Sequence, residues 1–338
     1  MEVVAHHAHQ VVRVVEASQP SLVRSTVRTL ADRAGFQETD SYRAGIVATE
    51  LATNLVKHST GGEVLVRAVA DAVPEVELIA IDRGPGIADV SAALTDGHST
   101  AGSSGTGLGA IRRMSDDFDI HSTMHHGTVV WARVRAGRVP APREPFAIAG
   151  ISVAQAGEVE CGDAWAVQRR PASVVALVAD GLGHGHFAAE AASAAIESLH
   201  TGTYRDCARA LEAVHSGLRH TRGAAAAILE IDLSRSVVKF AGVGNVSGVL
   251  LMSDGVRRQT VTHNGTLGHQ ATHFREYSYP WDRQGLLVMH SDGLVSHWSL
   301  DSYPGLRARH PAVVAGVLYR DFSRGRDDVT VVVGREPV

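Results

Sequence analysis

The stretch Val174-Val-Ala-Leu-Val-Ala-Asp-Gly-Leu-Gly-His-Gly185 decides the fold of the second half of this 338-residue chain. Its apolar residues, 174–179, predict a buried strand. The Asp-Gly pair that follows marks the point where the strand opens into a loop, so Asp180 is expected at the rim of a core. A single Asp-Gly is usually an ordinary turn, and the meaning of this one depends on its surroundings.

Three further motifs place an acid beside or near glycine at expected strand ends: Gly162-Asp163, Ser291-Asp-Gly293 and Arg326-Asp-Asp-Val-Thr330. Asp292 closely follows another apolar run, 286–289, which again predicts a strand. Acids at the ends of neighbouring strands can converge, and carboxylate oxygens are the ligands that hard divalent cations prefer. The second half of the sequence therefore indicates a site for divalent metal.

Runs of apolar residues predict many strands in this half, with two alanine-rich helices, 187–199 and 206–219, between the early and late strands. The predicted strands are 148–154, 174–179, 225–231, 237–241, 247–252, 286–289 and 329–333. Many strands with few helices favour a β-sandwich covered by helices.

This pattern, over about residues 147–335, resembles the metal-dependent protein phosphatase (PPM) family in its compact SpoIIE and RsbX-like branch. The resemblance implies two Mn²⁺ or Mg²⁺ ions bridged by Asp163 and Asp180, and a bound hydroxide that attacks phosphoserine or phosphothreonine. The metal ligands that it implies are Asp163, Asp180, Asp292 and Asp327, with the carbonyl of Gly181. Asp163, Asp180 and Asp292 are then catalytic.

Some neighbouring residues are left without a role or with an open one. Asp328 is adjacent to Asp327 and is the alternative ligand at that position. His184 and His186 are candidate acids, but histidines in a glycine-rich loop are more often incidental. The glycine-rich turn 242–248 is assigned no chemistry.

The first half shows apolar residues at helical spacing over 18–35 and 40–58, and a third helix is expected over 108–118. Strand-like runs lie at 63–70, 76–81 and 128–134. Helices segregated from strands in this way predict helices packed on an antiparallel or mixed sheet.

Three motifs of this half carry candidate chemistry. Glu50 and Asn54 are four residues apart and share one helix face, although solvent exposure is the commoner explanation of such a pair. Asp82-Arg-Gly-Pro-Gly-Ile87 follows a strand, where an acid can accept a hydrogen bond from a base. Ser103-Ser-Gly-Thr-Gly-Leu-Gly109 leads into a helix, where glycines let backbone N–H groups approach phosphates. Each motif alone is weak, and the third has no Walker A lysine.

In this order the three motifs resemble the N, G1 and G2 boxes of the GHKL ATPase/kinase family, and in particular its RsbT/RsbW group of serine kinases, over about residues 10–136. The resemblance implies ATP and Mg²⁺ as cofactors, with Asn54 as the magnesium ligand and Glu50 as the catalytic general base. It implies that Asp82 contacts adenine, with Thr128 near it. The loop residues that it assigns to the nucleotide are Gly84, Gly86, Gly105, Thr106, Gly107, Leu108 and Gly109.

Composition limits the partners. The formal net charge of -4, with basic and acidic residues mixed, provides no cationic field for nucleic acid or anionic lipid. The two cysteines have no paired-thiol spacing, and no apolar run approaches the ~18 residues of a membrane span. We therefore expect a cytoplasmic protein that binds proteins and small ligands.

The fold class expected from the sequence is α+β. A GHKL domain with helices on a mixed sheet, 1–136, is followed by a linker rich in proline and charge, 137–146, and by a PPM-type αββα sandwich, 147–338. The first hypothesis is a bifunctional enzyme that phosphorylates and dephosphorylates a STAS-type or stressosome-like regulatory protein. The alternative is an active phosphatase whose GHKL domain only senses ATP or binds a sigma factor or activator. By resemblance alone, a homodimer is one expected assembly.

Overall fold

The structure is a computed structural model that describes residues 3–70, 73–95, 107–140 and 144–337. Its strands are β1 (Val3–His6), β2 (Gln10–Val14), β3 (Gly62–Val69), β4 (Glu75–Asp82), β5 (Asp117–Thr123), β6 (Gly127–Arg135), β7 (Ala147–Val153), β8 (Asp163–Arg169), β9 (Ser173–Gly181), β10 (Ala224–Asp232), β11 (Val237–Val243), β12 (Ser247–Leu251), β13 (Arg257–Gln259), β14 (Tyr277–Pro280), β15 (Leu286–His290) and β16 (Val329–Arg335). Its α-helices are α1 (Gln19–Arg33), α2 (Glu38–His58), α3 (Val90–Ala93), α4 (Gly107–Met114), α5 (His186–His200), α6 (Cys207–Gly217) and α7 (Pro311–Phe322). The fold class is α+β, as predicted. Across the described ranges, no helix combines the length and the apolar character that crossing a membrane requires.

The chain forms two compact units, and each combines segments that are distant in sequence. Unit 1 consists of Met1–Ala8, Glu144–Trp298 and Asp321–Val338, and unit 2 consists of His9–Arg143 and Ser299–Arg320. The bounds predicted from the sequence, 1–136 and 147–338, were placed on either side of the linker. They differ from these units mainly in two segments, Met1–Ala8, which belongs to unit 1, and Ser299–Arg320, which belongs to unit 2. Those bounds stay a prediction of where the two functional domains lie.

Unit 2 is built on an antiparallel sheet with the strand order β2-β3-β4-β6-β5. Helix α1 buries Val23, Val27 and Ala31, which recur every four residues and so form one apolar stripe. This stripe and the buried face of α2 join one core with alternate residues of β4, such as Leu78 and Ala80. The predicted layer of helices on a sheet is therefore present.

The opposite face of the same sheet is covered by the segment Ser299–Arg320. Ile79 and Val129 point to this side, and a Cβ added to Gly316 of α7 would lie 2.7 Å from Cγ1 of Val129. Just before α7, the ring of His310 stacks on Trp131 with 3.7 Å between ring centroids. Because both faces of β4 are buried, its apolar run is continuous rather than alternating.

The helix expected over 108–118 ends earlier, at Met114. Residues 117–123 form β5 instead, an edge strand paired with β6 from Asp117↔Arg133 to Thr123↔Gly127. Ile120 is buried in the core of the unit from this strand. Tertiary pairing with β6 therefore overrides the short helical pattern.

Unit 1 contains two stacked antiparallel sheets with strand orders β1-β8-β9-β10-β11-β14 and β13-β12-β15-β16-β7. Helices α5 and α6 pack on the outer face of the first sheet. Along β9, Val175, Leu177 and Ala179 contact that helical layer. The alternate residues 174, 176 and 178 pack in the core between the two sheets. Asp180 continues the second series, so its side chain lies at the end of the core between the sheets.

Candidate functional site

Asp163 and Asp180 meet at one end of the sandwich of unit 1. Asp163 is the first residue of β8 and is directly opposite Asp180 in the antiparallel register with β9. Trp165, two residues after Asp163, packs between the sheets, so the Asp163 side chain has the same orientation. Both predicted bridging carboxylates therefore lie at the same edge of one core.

The second sheet brings its acids to this end as well. Asp292 follows β15, and Asp327 and Asp328 directly precede β16, which pairs with β15. The Asp163 carboxylate is buried and accepts a hydrogen bond of 2.6 Å from Oγ of Ser291. The Ser291 hydroxyl in turn accepts one of 3.0 Å from the backbone N–H of Thr330. Ser291 thus connects the acid of the first sheet to both strands of the second.

Other polar groups fix the remaining carboxylates. Nδ2 of Asn245 donates a hydrogen bond of 2.7 Å to Oδ2 of Asp292. The backbone N–H of Gln155 donates one of 2.8 Å to Oδ1 of Asp328. A Cβ at Gly162 would lie 2.6 Å from Oδ2 of Asp328, so the chain passes this carboxylate only as glycine.

Like charges are crowded at this site. Burial, followed by the carboxylates of Asp292, Asp327 and Asp328, raises the pKa of Asp180 to about 7. Burial and the neighbouring charge of Asp180 also raise the pKa of Asp163 well above its usual range. Crowded carboxylates of this kind favour either protonation or a bound cation.

The donor set fits a divalent cation by chemistry, because it consists of hard carboxylate oxygens and the backbone carbonyl of Gly181. Within the ranges that the structure describes, no group of three or more His, Cys, Asp or Glu side chains is already arranged to hold a metal ion. Ser291 and Asn245 hold two of the carboxylates by hydrogen bonds.

The sequence left open whether Asp327 or Asp328 is the metal ligand, and whether His184 or His186 acts as an acid. Asp327 and Asp328 both contribute to the raised pKa of Asp180, so both lie within its electrostatic reach. His184 and His186 are turned to glutamates instead, with Nδ1 distances of 2.7 Å to Glu158 and 2.9 Å to Glu160.

Asn245 and Ser291 were not predicted as parts of the site. Asn245 lies in the glycine-rich turn to which no chemistry was assigned, and Ser291 directly precedes Asp292. The only signal for either residue was a polar side chain at the end of a predicted strand.

A second group of predicted residues comes together in unit 2. Glu50 and Asn54 are half-buried on one face of α2. A Cβ at Gly107, the first residue of α4, would lie 3.1 Å from Oδ1 of Asn54 and 3.5 Å from Oε2 of Glu50. The absence of a side chain at Gly107 thus lets the N-terminus of α4 lie against this pair.

The rest of the glycine motif is only partly described. Gly109 is buried, and Leu108 is half-buried against the core of unit 2. Gly105 and Thr106 lie outside the described residues.

Asp82 lies at the end of β4 and is the centre of a separate cluster. Its Oδ1 accepts hydrogen bonds from the backbone N–H groups of Gly84, at 2.7 Å, and Thr128, at 3.3 Å. The Thr128 hydroxyl lies 2.8 Å from Oγ of Ser122, a residue that the sequence analysis did not identify. Burial raises the pKa of Asp82. The arrangement presents a fixed carboxylate with its second oxygen available to a hydrogen-bond donor.

The loop that follows Asp82 contacts the end of α2. A Cβ at Gly84 would lie 2.8 Å from Cβ of Ser59, which caps α2, and Gly86 has a φ of +79° that favours glycine. Ser59 is five residues after Asn54, or about 7.5 Å along the helix. The Asp82 cluster and the Glu50–Asn54 pair therefore lie along the same helix, a short distance apart.

Comparison with known proteins separates the same two halves. Residues 15–134 match the family described as histidine kinase-like ATPase domain, and residues 170–335 match stage II sporulation protein E (SpoIIE). Serine/threonine-protein kinase RsbT of Bacillus subtilis is 33% identical over 122 residues, which cover 36% of this chain and 92% of RsbT.

Phosphoserine phosphatase RsbX of Bacillus subtilis is 23% identical over 184 residues, covering 53% of this chain and 89% of RsbX. A chain of the solved structure "The bacterial stressosome: a modular system that has been adapted to control secondary messenger signaling" is 29% identical, with a TM-score of 0.52. That match covers 57% of this chain and 100% of the other. The protein therefore belongs to the histidine kinase-like ATPase family through its first domain and carries a SpoIIE-type PPM phosphatase domain as its second.

Proposed function

We propose that this protein is a bifunctional regulatory enzyme that removes phosphate from serine or threonine with its PPM domain and adds it with its kinase-like domain. The observation that carries the proposal is the convergence of Asp163 and Asp180 with the acids of the second sheet at one end of the sandwich. Such a cluster destabilises the fold unless it binds a cation, because it buries like charges close together.

For the phosphatase reaction, Asp163, Asp180, Asp292, Asp327 and the carbonyl of Gly181 are the groups that would hold two divalent ions. The chemistry supplied by such a pair of ions is a hydroxide nucleophile and charge neutralisation on the phosphoryl group. Ser291 orients Asp163, and Asn245 orients Asp292, through the hydrogen bonds described above. No protein side chain is needed as the nucleophile.

In the kinase reaction, Glu50 accepts the proton of a seryl or threonyl hydroxyl on the protein substrate. Asn54, on the same face of α2, would hold the magnesium ion, and ATP would supply the phosphoryl group. Gly107 and Gly109, with Gly105 and Thr106, bind the phosphates through backbone N–H groups. The nearness of Gly107 to both Glu50 and Asn54 supports this assignment.

Asp82 binds the exocyclic amine of adenine with its second carboxylate oxygen. Thr128 and Gly84 fix the first oxygen by donating backbone hydrogen bonds to it. Gly86 lets the loop pass close to the backbone of Thr123 at the end of β5, and Leu108 would contact the nucleotide from α4. The proposed site is an adenine pocket with one half-buried acid.

The protein substrate is proposed to be a STAS-type or stressosome-like regulatory protein. The two activities named in the matching relatives are opposite: a serine/threonine kinase adds phosphate to hydroxyl side chains, and a phosphoserine phosphatase removes phosphate from serine. One chain with both activities would set the phosphorylation state of a single partner. A homodimer of the kinase-like domain and a cytoplasmic location are part of the same proposal.

The proposal is tested in two assays on the full chain. The phosphatase is followed by phosphate release from a phosphoseryl peptide, with manganese and with a chelator. The kinase is followed by transfer of labelled γ-phosphate to a phosphate-free STAS-domain protein, beside a Glu50→Gln variant. Phosphate release without transfer would reduce the first domain to an ATP-binding or sigma-factor-binding module.

A further inference from the structure

An exposed apolar and cationic surface lies beside the acidic site of unit 1. It consists of Leu182, Phe187 and Arg222, and we name it the α5 rim. Leu182 is 56% exposed and Phe187 is 54% exposed, and Arg222 is exposed as well. Large apolar side chains that are exposed together often mark an interaction site.

The α5 rim is close to the acids through the backbone. Leu182 is two residues after Asp180, about 7 Å of extended chain. The backbone N–H of Leu182 donates a hydrogen bond of 3.0 Å to the carbonyl of Gly223, the residue after Arg222. A Cβ at Gly181 would collide with the backbone of Ala188, so the first turn of α5, which carries Phe187, lies directly against Gly181.

The guanidinium of Arg222 lies over the ring of Phe187. Its guanidinium carbon lies 4.7 Å from the centroid of the Phe187 ring. An arginine stacked on an aromatic face keeps its N–H donors at the edge of the plane, where a carboxylate can accept two of them. The stacking also restricts the side chain before a ligand arrives.

Two glutamates are hydrogen bonded to histidines of the loop that carries Leu182 and Phe187. Glu158 lies 2.7 Å from Nδ1 of His184, and Glu160 lies 2.9 Å from Nδ1 of His186. The guanidinium of Arg222 contacts an aromatic ring rather than these carboxylates. With respect to the residues that the structure describes, its charge therefore remains available to a partner.

From these observations, we propose that the α5 rim docks the protein substrate of the phosphatase. It would bind the segment next to the phosphorylated residue, with an apolar side chain on Leu182 and Phe187 and an acidic side chain on Arg222. The inference rests on the proposed phosphatase function and adds a preference for phosphorylation sites flanked by apolar and acidic residues. The nearness of the rim to Asp180 and its exposed apolar area support this one occupant.

The test uses two synthetic phosphoserine peptides that carry a leucine beside the phosphoserine and differ in one neighbouring residue, glutamate or glutamine. Each is assayed with the unchanged full chain and with the variant Arg222→Ala. Arg219→Ala is the matched control, because Arg219 is an exposed arginine three residues earlier. The kcat/KM for each peptide is divided by that for p-nitrophenyl phosphate, which has no flanking residues.

For the glutamate peptide, we expect Arg222→Ala to lower this ratio about tenfold, because a charge-assisted hydrogen bond is lost. For the glutamine peptide, and for Arg219→Ala, we expect less than a twofold change. An equal loss with both peptides would overturn the proposal, since Arg222 would then contact the peptide without selecting the flanking acid. An unchanged ratio would overturn it too, since Arg222 would then contact no part of the substrate beyond the phosphoryl group.

Binding of the dephosphorylated, fluorescein-labelled glutamate peptide, followed by fluorescence anisotropy in a chelator, does not depend on turnover. We expect Arg222→Ala to raise its Kd about tenfold. Equal Kd values for the unchanged chain and Arg222→Ala would overturn the proposal that the α5 rim docks the substrate. If the unchanged chain does not hydrolyse p-nitrophenyl phosphate with manganese, the phosphatase function itself fails, and this result is distinct from either peptide result.

Discussion

Asp163 and Asp180 face each other across the antiparallel pair of β8 and β9, with both side chains at the open end of the core between the sheets. Directly opposed residues have Cβ atoms about 5 Å apart, so two buried carboxylates here repel each other. The two acids proposed to bind metal therefore lower the stability of the metal-free chain.

The first prediction concerns that opposition. The raised pKa of Asp180, about 7, means that its ionised form is disfavoured in the folded chain. Above the ordinary pKa of an aspartate, ionisation therefore costs stability. We expect Asp180→Asn to stabilise the metal-free chain by roughly 1–3 kcal/mol at pH 8. Chemical denaturation in a chelator measures this, and a less stable variant would contradict the crowding of charge.

Ser291 is expected to act through Asp163. In Ser291→Ala, the hydrogen bond of 2.6 Å to Oδ2 is lost and the carboxylate is free to rotate. We predict a 10–100-fold, order-of-magnitude weakening of manganese affinity, as for other groups that orient metal ligands. Manganese binding is measured by electron paramagnetic resonance, with the exposed Ser296→Ala as the control. Equal affinity in both variants would remove Ser291 from the site.

Gly107 tests the nucleotide site. A Cβ at this position would press on Oδ1 of Asn54 at 3.1 Å, while alanine is otherwise favourable in a helix. We expect Gly107→Ala to fold normally and to bind a fluorescent ATP analogue with magnesium about tenfold more weakly. Gly45→Ala, in the interior of α2 with its nearest neighbour at 3.4 Å, is the matched control. Unchanged binding in Gly107→Ala would place the nucleotide elsewhere.

The stability of unit 2 is predicted to fall in mild acid because of His310. Burial against Trp131 lowers the pKa of this histidine from 6.5 to about 3. The unfolded chain therefore takes up a proton below pH 6.5 that the folded chain does not, and stability decreases as the pH falls through this window. The loss is about 1.4 kcal/mol per pH unit.

His310→Phe keeps a stacked ring without the titration. We expect the difference in stability between pH 6.5 and pH 5 to shrink by about 2 kcal/mol in this variant. The exposed His297→Phe serves as the control. If the two variants show the same pH dependence, His310 is not the cause.

Much of the fold follows from local patterns. The helices α1, α2, α5 and α6 and most long strands have strong apolar periodicity, and the structure contains them. The structure also brings Asp163, Asp180 and Asp292 together, and Glu50, Asn54 and Gly107 together. Acids and glycines at strand ends carry this information because strand ends converge at the edge of a sheet.

Other features depend on contacts distant in sequence. Strand β1 and helix α7 were not predicted, because each forms against a partner far along the chain. Sequence alone showed neither that Ser299–Arg320 covers the second face of the unit 2 sheet nor that Asn245 contacts Asp292. A side chain that contacts a predicted metal ligand carries no local signature when its partner is 47 positions away.

Manganese-dependent hydrolysis of p-nitrophenyl phosphate tests the central claim most directly. The purified chain is compared with Asp180→Asn, with the exposed turn variant Asp254→Asn, and with a chelator. We expect activity that requires the metal, survives in Asp254→Asn and falls about 100-fold or more in Asp180→Asn. Hydrolysis that persists in the chelator, or that is equal in Asp180→Asn and the unchanged chain, would contradict a metal-dependent phosphatase centred on Asp180.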